Sequence, residues 1–186
     1  MNIYKDYRFD KKLLRELLHK KFIKYKCDAF SFTNSVTGIV GLYIGDDVYS
    51  LVNEQEPVDY YGSKEDMAIW KINRTVDSNI QSAFLNTKQI DNPVNETIDK
   101  ITVIEEAQNV KFESSNYKTY LTRAIIFHCE SRDICFEKDM VAFSEEIYIT
   151  KGYDLINSYP KDNKFFKEDW IGDVECSTNE EIINLE

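Results

Sequence analysis

Tyr120–Asp139, YLTRAIIFHCESRDICFEKD, decides the fold. Ala124-Ile125-Ile126-Phe127 is a short apolar run rich in β-forming residues. Ser131-Arg132-Asp133 breaks it, and Ile134-Cys135-Phe136 resumes it, so the stretch reads as a β-hairpin. A two- or four-residue loop sets Cys129 across from Ile134 and Phe127 across from Phe136. One face then carries Leu121, Ile125, Phe127, Cys129, Ile134 and Phe136, interrupted only by Arg123. The other carries Thr122, Ile126, His128, Cys135 and Glu137. A three-residue loop would place Glu137 beside Phe127. A one-residue slip sends a strand's side chains to the opposite face, so the cleaner apolar face selects the first register. Ala124 and Ile126 add apolar surface to the second face, which predicts a central strand.

Working back from the hairpin, Ile98–Glu106 reads as a strand. Thr37–Ile44 and Val48–Val52 flank the turn sequence Gly45-Asp46-Asp47, and Val40, Leu42, Ile44, Tyr49 and Leu51 share one face. Ala29–Thr33 and Met67–Ile72 are further strands, and Asp77–Lys88 a short helix with Ile80, Ala83 and Phe84 inward. Glu54–Lys64, EQEPVDYYGSK, reads as a loop containing Pro57 and Gly62. Beyond the hairpin come a last strand over Glu145–Thr150 and a helical turn or two over Tyr153–Tyr159, before Pro160. Phe165, Phe166, Trp170 and Ile171 anchor the C-terminal segment, and Thr178–Glu186 is an acidic tail that frays.

At the other end, Asp10–Lys20 repeats Leu13, Leu14, Leu17 and Leu18 at helical spacing, with Asp6 or Asp10 as the cap. Lys12, Arg15 and His19 form its basic outer face. The expected fold is therefore α+β. It is a mostly antiparallel sheet of two β-meanders or hairpins, with an N-terminal amphipathic helix packed on it. Residues 1–186 form one domain, and the alternative is two duplicated lobes with a seam near residues 91–94, at Asn92-Pro93.

Composition narrows the function classes. The chain has 186 residues, of which 42% are hydrophobic, 30% charged and 13% aromatic, a globular and not a disordered balance. No run reaches the roughly 20 apolar residues of a membrane helix, so no membrane is expected. The N-terminus shows no apolar leader region, and Cys27, Cys129, Cys135 and Cys176 stand at irregular spacing. The chain reads as cytoplasmic with reduced thiols. Its richness in Asn, Lys, Ile and Asp leads us to expect a bacterial chain. Net charge is −10, but residues 1–26 hold nine basic and three acidic side chains, net +6, leaving −16 elsewhere. Such a body repels phosphate backbones, so no double-stranded nucleic acid is expected.

Chemistry-bearing motifs are few. The nucleotide-binding glycine loops, the nucleophile elbow and the zinc-protease helix are all absent, and two histidines rule out a histidine-rich metal site. No metal and no cofactor is expected. His128, Cys135 and Glu137 share the second hairpin face, and an imidazole beside a thiol can make a nucleophile. Asp59-Tyr60-Tyr61-Gly62, with Glu65 and Asp66, offers a binding surface of aromatics and acids. Asp46-Asp47 and Glu65-Asp66 are simpler as a turn and a solvated loop than as cation sites. The expected function is protein binding of the inhibitor or immunity type, with a basic partner fitting the acidic body. The rivals are a hydrolase- or transferase-type enzyme using the Cys–His pair, and nucleic-acid binding through the basic helix. Partner identity and oligomeric state are not encoded in any motif.

Overall fold

The computed structural model describes residues 1–31, 33–85, 87–112, 114–159, 163–168, 170 and 174–186. The strands are β1 (Asn2–Tyr7), β2 (Lys21–Asp28), β3 (Ser35–Ile44), β4 (Asp47–Tyr60), β5 (Ser63–Thr75), β6 (Gln89–Phe112), β7 (Ser115–Cys129), β8 (Asp133–Lys138), β9 (Glu146–Gly152) and β10 (Glu175–Leu185). The helices, α1 (Lys11–Arg15), α2 (Leu155–Ser158) and α3 (Lys164–Glu168), are one turn each. The α+β expectation is overturned: the chain is mostly β, without a prominent N-terminal helix.

Six strands close on themselves. β2 pairs with β3 and β6, β6 with β7, β7 with β8, β8 with β9, and β9 returns to β3. A ring of this kind hides its hydrogen-bonding edges. The β4–β5 hairpin extends from β3, β10 from the far half of β6, and β1 lies parallel to the far half of β7. The β6–β7 register shifts at Ile98/Lys100 and at Ile104/Glu105, and the β2–β6 register between Phe22 and Lys24, as one 24-residue strand serves both β2 and β7. Pro93 lies inside β6, paired with Lys24 of β2.

The central hairpin keeps the expected faces in a register shifted by two. Phe127 pairs with Ile134, and Ile125 with Phe136. An even shift preserves side-chain direction, so Ile125, Phe127, Cys129, Ile134 and Phe136 all enter the main core, while Ile126 and Cys135 join a second cluster. The shift comes from the loop, in which the Cys129 amide bonds to the Arg132 carbonyl and Asp133 already belongs to β8. Val40, Leu42, Ile44, Tyr49 and Leu51 share the main core as read.

Other expectations fail for local reasons. The leucines of the N-terminal segment do bury, Leu14 and Leu17 completely, and Asp10 does cap the helix. The helix nevertheless stops at Arg15. The chain passes through turns to His19, at φ 61°, whose amide bonds to the Ile98 carbonyl and reverses the path into β2. Glu54–Lys64 is no loop: β4 and β5 run to a two-residue turn at Tyr61-Gly62, with φ of 52° and 98°. Gly62 is needed twice over, because a Cβ there would also lie 2.7 Å from the Tyr117 hydroxyl. Pro57 is tolerated because β4 has left β3 by that point, so its missing N–H faces an unpaired edge. Ala29–Thr33 is not a strand in its described residues, and Asp77–Lys88 holds only a 3₁₀ turn, Asp77–Asn79, with Ile80 buried and Ala83 and Phe84 exposed. The supposed tail is β10, paired with β6 from Lys111 to Ile101. Phe32, Pro160 and Ile171 lie outside the described residues.

Candidate functional site

The second face of the hairpin was the expected catalytic ground. The two-residue shift puts Asp133, not Cys135, across from His128. His128 Nδ1 lies 2.7 Å from Asp133 Oδ1, and its Nε2 lies 2.7 Å from Thr102 Oγ1. Thr102 donates in turn to Asn184 Oδ1 at 2.9 Å. A carboxylate–imidazole–hydroxyl chain has the order of a hydrolase relay. Here the hydroxyl is 1% exposed, and it is held between β7 and β10. It therefore ties three strands together and does not present a nucleophile. Thr102 was invisible as a partner because the β6–β7 register is a tertiary property.

Cys135 sits opposite Ile126, packed with Ile104, Ala124 and Tyr159. Burial pushes its thiol well above the ordinary range, with Glu137 and Asp133 adding to the shift. Burial likewise pushes Cys27 and Cys129 up to about 12. Glu137 is also raised by burial, opposed by Arg123. A nucleophilic thiol needs the opposite shift. In native protein near pH 7.5, iodoacetamide should therefore label the half-exposed Cys176 first and leave Cys135 unmodified until unfolding. Mass spectrometry showing fast, selective alkylation of Cys135 would restore the enzyme reading.

The expected aromatic surface is mostly internal. Tyr61 is buried and its hydroxyl donates to Gln108 Oε1 at 2.7 Å. Tyr60 stacks on Trp170, with ring centroids 6.1 Å apart and planes at 9°. Asp59 accepts the Gly62 amide at 2.7 Å, and Glu65 accepts the Ser63 hydroxyl at 2.7 Å. Asp66, like Glu65, is exposed on β5. These residues close a turn and cover the cluster of Tyr61, Val110 and Phe166. Lys12, Arg15 and His19 do stand exposed, on α1 and the turns after it.

Arg123, which interrupted the apolar face in sequence, is wholly buried beside Glu106, with 3.8 Å between Nε and Oε2. Its Nη1 donates to the Asp139 carbonyl at 2.9 Å. Glu106 also accepts from Gln108 at 2.7 Å and from Asn163 at 3.2 Å. This is an internal ionic brace, in which Arg123 and Glu106 are both buried.

Two surface depressions stand out beside smaller ones of about 250 and 230 Å³. The larger, about 650 Å³, lies across β1, β7, β6 and β10, and its polar side chains satisfy one another: Lys111 with Glu175, and Asn116 with Asn2. The second, about 410 Å³, opens at one end of the ring, between the Ala29–Asn34 connection and the segment that follows Asn79. Asp28, Ser35, Thr37 and Glu146 give it carboxylates and hydroxyls, and Phe84 forms a wall. The wall residue Phe84 is 55% exposed, Leu85 at 94% follows it in the chain, and Phe30 at 44% stands in the chain between the lining residues Ala29 and Ser31. The segment carrying Phe84 lies against β3, where Gly38 and Gly41 leave room for Ala83 and Ile80. A Cβ at position 41 would lie 2.8 Å from Ile80. Sequence reasoning missed this site because it assigned Phe84 to the inner face of a helix.

Among the described residues, no group of three or more His, Cys, Asp and Glu is placed to hold a metal ion. No helix is long and apolar enough to cross a membrane. Comparison with known proteins returns no match, whether to a family model, a curated protein or a solved structure.

Proposed function

We propose that the chain works by binding a basic protein, in the manner of an inhibitor or immunity partner, through the end of the ring that carries Phe30, Phe84 and Leu85. The supporting observation is a carboxylate-lined cleft walled by the exposed Phe84, with the exposed Phe30 and Leu85 next to lining residues in the chain. Large apolar side chains gathered at one exposed place mark contact surfaces, and they are otherwise costly to leave in water. Net charge supports the sign of the partner: outside residues 1–26 the chain carries −16, which steers a cationic protein towards it.

A photo-crosslinking amino acid in place of Leu85 tests the reading, with the same group in place of Tyr153, itself exposed, as the control. In extract of the source organism, position 85 should give a discrete adduct with a protein of high isoelectric point. Its yield should fall as salt rises from about 0.05 to 0.5 M, because the Debye length shrinks. An acidic partner, a salt-insensitive adduct or equal yields from both positions would refute it.

A further inference from the structure

The geometry points to a specific anchor for that partner: the cleft beside Phe84 takes an arginine side chain, its guanidinium held between Asp28 and Glu146. The inference rests on the protein-binding reading and adds the chemistry of the contact.

Asp28 is 7% exposed and lines the cleft. Its Oδ2 accepts the Ser82 hydroxyl at 2.7 Å, while its Oδ1 meets no hydrogen-bond partner among the described residues. A buried carboxylate with one bare oxygen is expensive, and such groups in folded proteins call for an explanation. The chain's own cations do not supply one. Neither Asp28 nor Glu146 forms an ion pair among the described residues, although fifteen pairs form elsewhere. Glu146 accepts the Ser35 hydroxyl at 3.1 Å and shares a side-chain hydrogen bond with Tyr148, both neutral groups. Two unneutralised carboxylates therefore line one cleft.

Ser82 Oγ holds both Asp28 and the Phe84 amide, the latter at 3.0 Å. Releasing this one hydroxyl leaves both Asp28 oxygens without a hydrogen bond among the described residues. A planar fork fits two oxygens on one carboxylate better than an ammonium does, and a guanidinium also stacks on an aromatic face. Phe84 supplies that face as a cleft wall. Arginine is thus favoured over lysine, and the exposed Phe30 and Leu85 contact the residues on either side of it.

The test uses the whole protein, with N-acetyl-arginine amide as probe and N-acetyl-lysine amide as comparison, followed by amide NMR. Arginine amide should give saturable shifts confined to residues 28–37, 82–87 and 146. Lysine amide should bind about ten-fold more weakly or less. Asp28→Asn, which keeps the shape, should weaken arginine binding about ten-fold with the rest of the spectrum unchanged. Glu146→Gln should also weaken it, and Ser82→Ala should tighten it or leave it unchanged. Shifts spread over the acidic surface, equal for both probes and indifferent to Asp28→Asn, would overturn the anchor. The two readings fail separately. If Asp28→Asn leaves the basic-partner adduct at position 85 intact, the anchor is wrong and the docking surface stands. If the cleft binds arginine but no adduct forms, the reverse holds.

Discussion

Replacing Arg123 with Met should lower stability by about 3–5 kcal/mol, the cost of leaving a buried charge without its counter-ion. The stranded group is Glu106, fully buried and, among the described residues, otherwise held by the side-chain amides of Gln108 and Asn163. Methionine fills much of the arginine volume, so little of the loss would come from a cavity. The double variant Arg123→Met with Glu106→Gln should recover most of the stability, since it removes both charges while leaving Gln108 and Asn163 a hydrogen-bonding partner. Urea midpoints at a constant m-value read both effects. A cost below about 1 kcal/mol for the single variant, or a double variant no better than the single, would show that the pair is not coupled.

That brace shows what the sequence could and could not disclose. Period-two alternation made the faces of the central hairpin legible, because inward and outward are properties of neighbours in the chain. Arg123 stood out there as the residue breaking an apolar face. Its partner Glu106 lies 17 positions earlier and faces it only because β7 carries an extra residue beside Ile104/Glu105. The same limit hid the link from Thr102 to His128 and Asn184. The N-terminal segment failed differently. Helical spacing of four leucines was real, and Leu14 and Leu17 do bury, but a short turn is enough to deliver both. Propensity could not reveal that His19 must reverse the chain to feed a strand. β10 was hidden by its charges: Glu175, Glu181 and their neighbours sit on an open sheet edge that tolerates acids, where a frayed tail was the simpler reading. The cleft at Asp28 was out of reach altogether, since its walls come from β2, β3, β9 and the segment after β5.

Stability should rise with pH between about 7 and 9, and Lys138 should be the reason. It is the buried last residue of β8, and its Nζ reaches the Val141 and Asp139 carbonyls at long distances of 3.3 Å and 3.4 Å. The space beside it, against Tyr7, Trp70 and Thr122, is about 10 Å³, room for at most one water. Desolvation, reinforced by the nearby Arg123 charge, pushes its ammonium down to about 7 from an ordinary 10.5. A depressed lysine binds fewer protons folded than unfolded across that interval, so the folded state gains as pH rises through it. Below about 7 the charged form stays buried at full cost, on the order of several kcal/mol. The gain is cut short from above. The thiols of Cys27, Cys129 and Cys135 are all raised by burial from an ordinary 9.0, so ionisation of the unfolded chain begins to favour unfolding past that point. Lys138→Met should therefore raise stability at pH 6–7 and flatten the profile between 7 and 9, while leaving the decline above 9. Urea midpoints of both proteins across pH 6–10 decide it, and parallel profiles would mean that Lys138 is not the titrating group. Because its positive charge is repelled by that of Arg123, the two substitutions should not be additive. Removing Lys138 relieves a like-charge contact, so Arg123→Met should cost more in its absence, where Arg123 holds Glu106 unopposed.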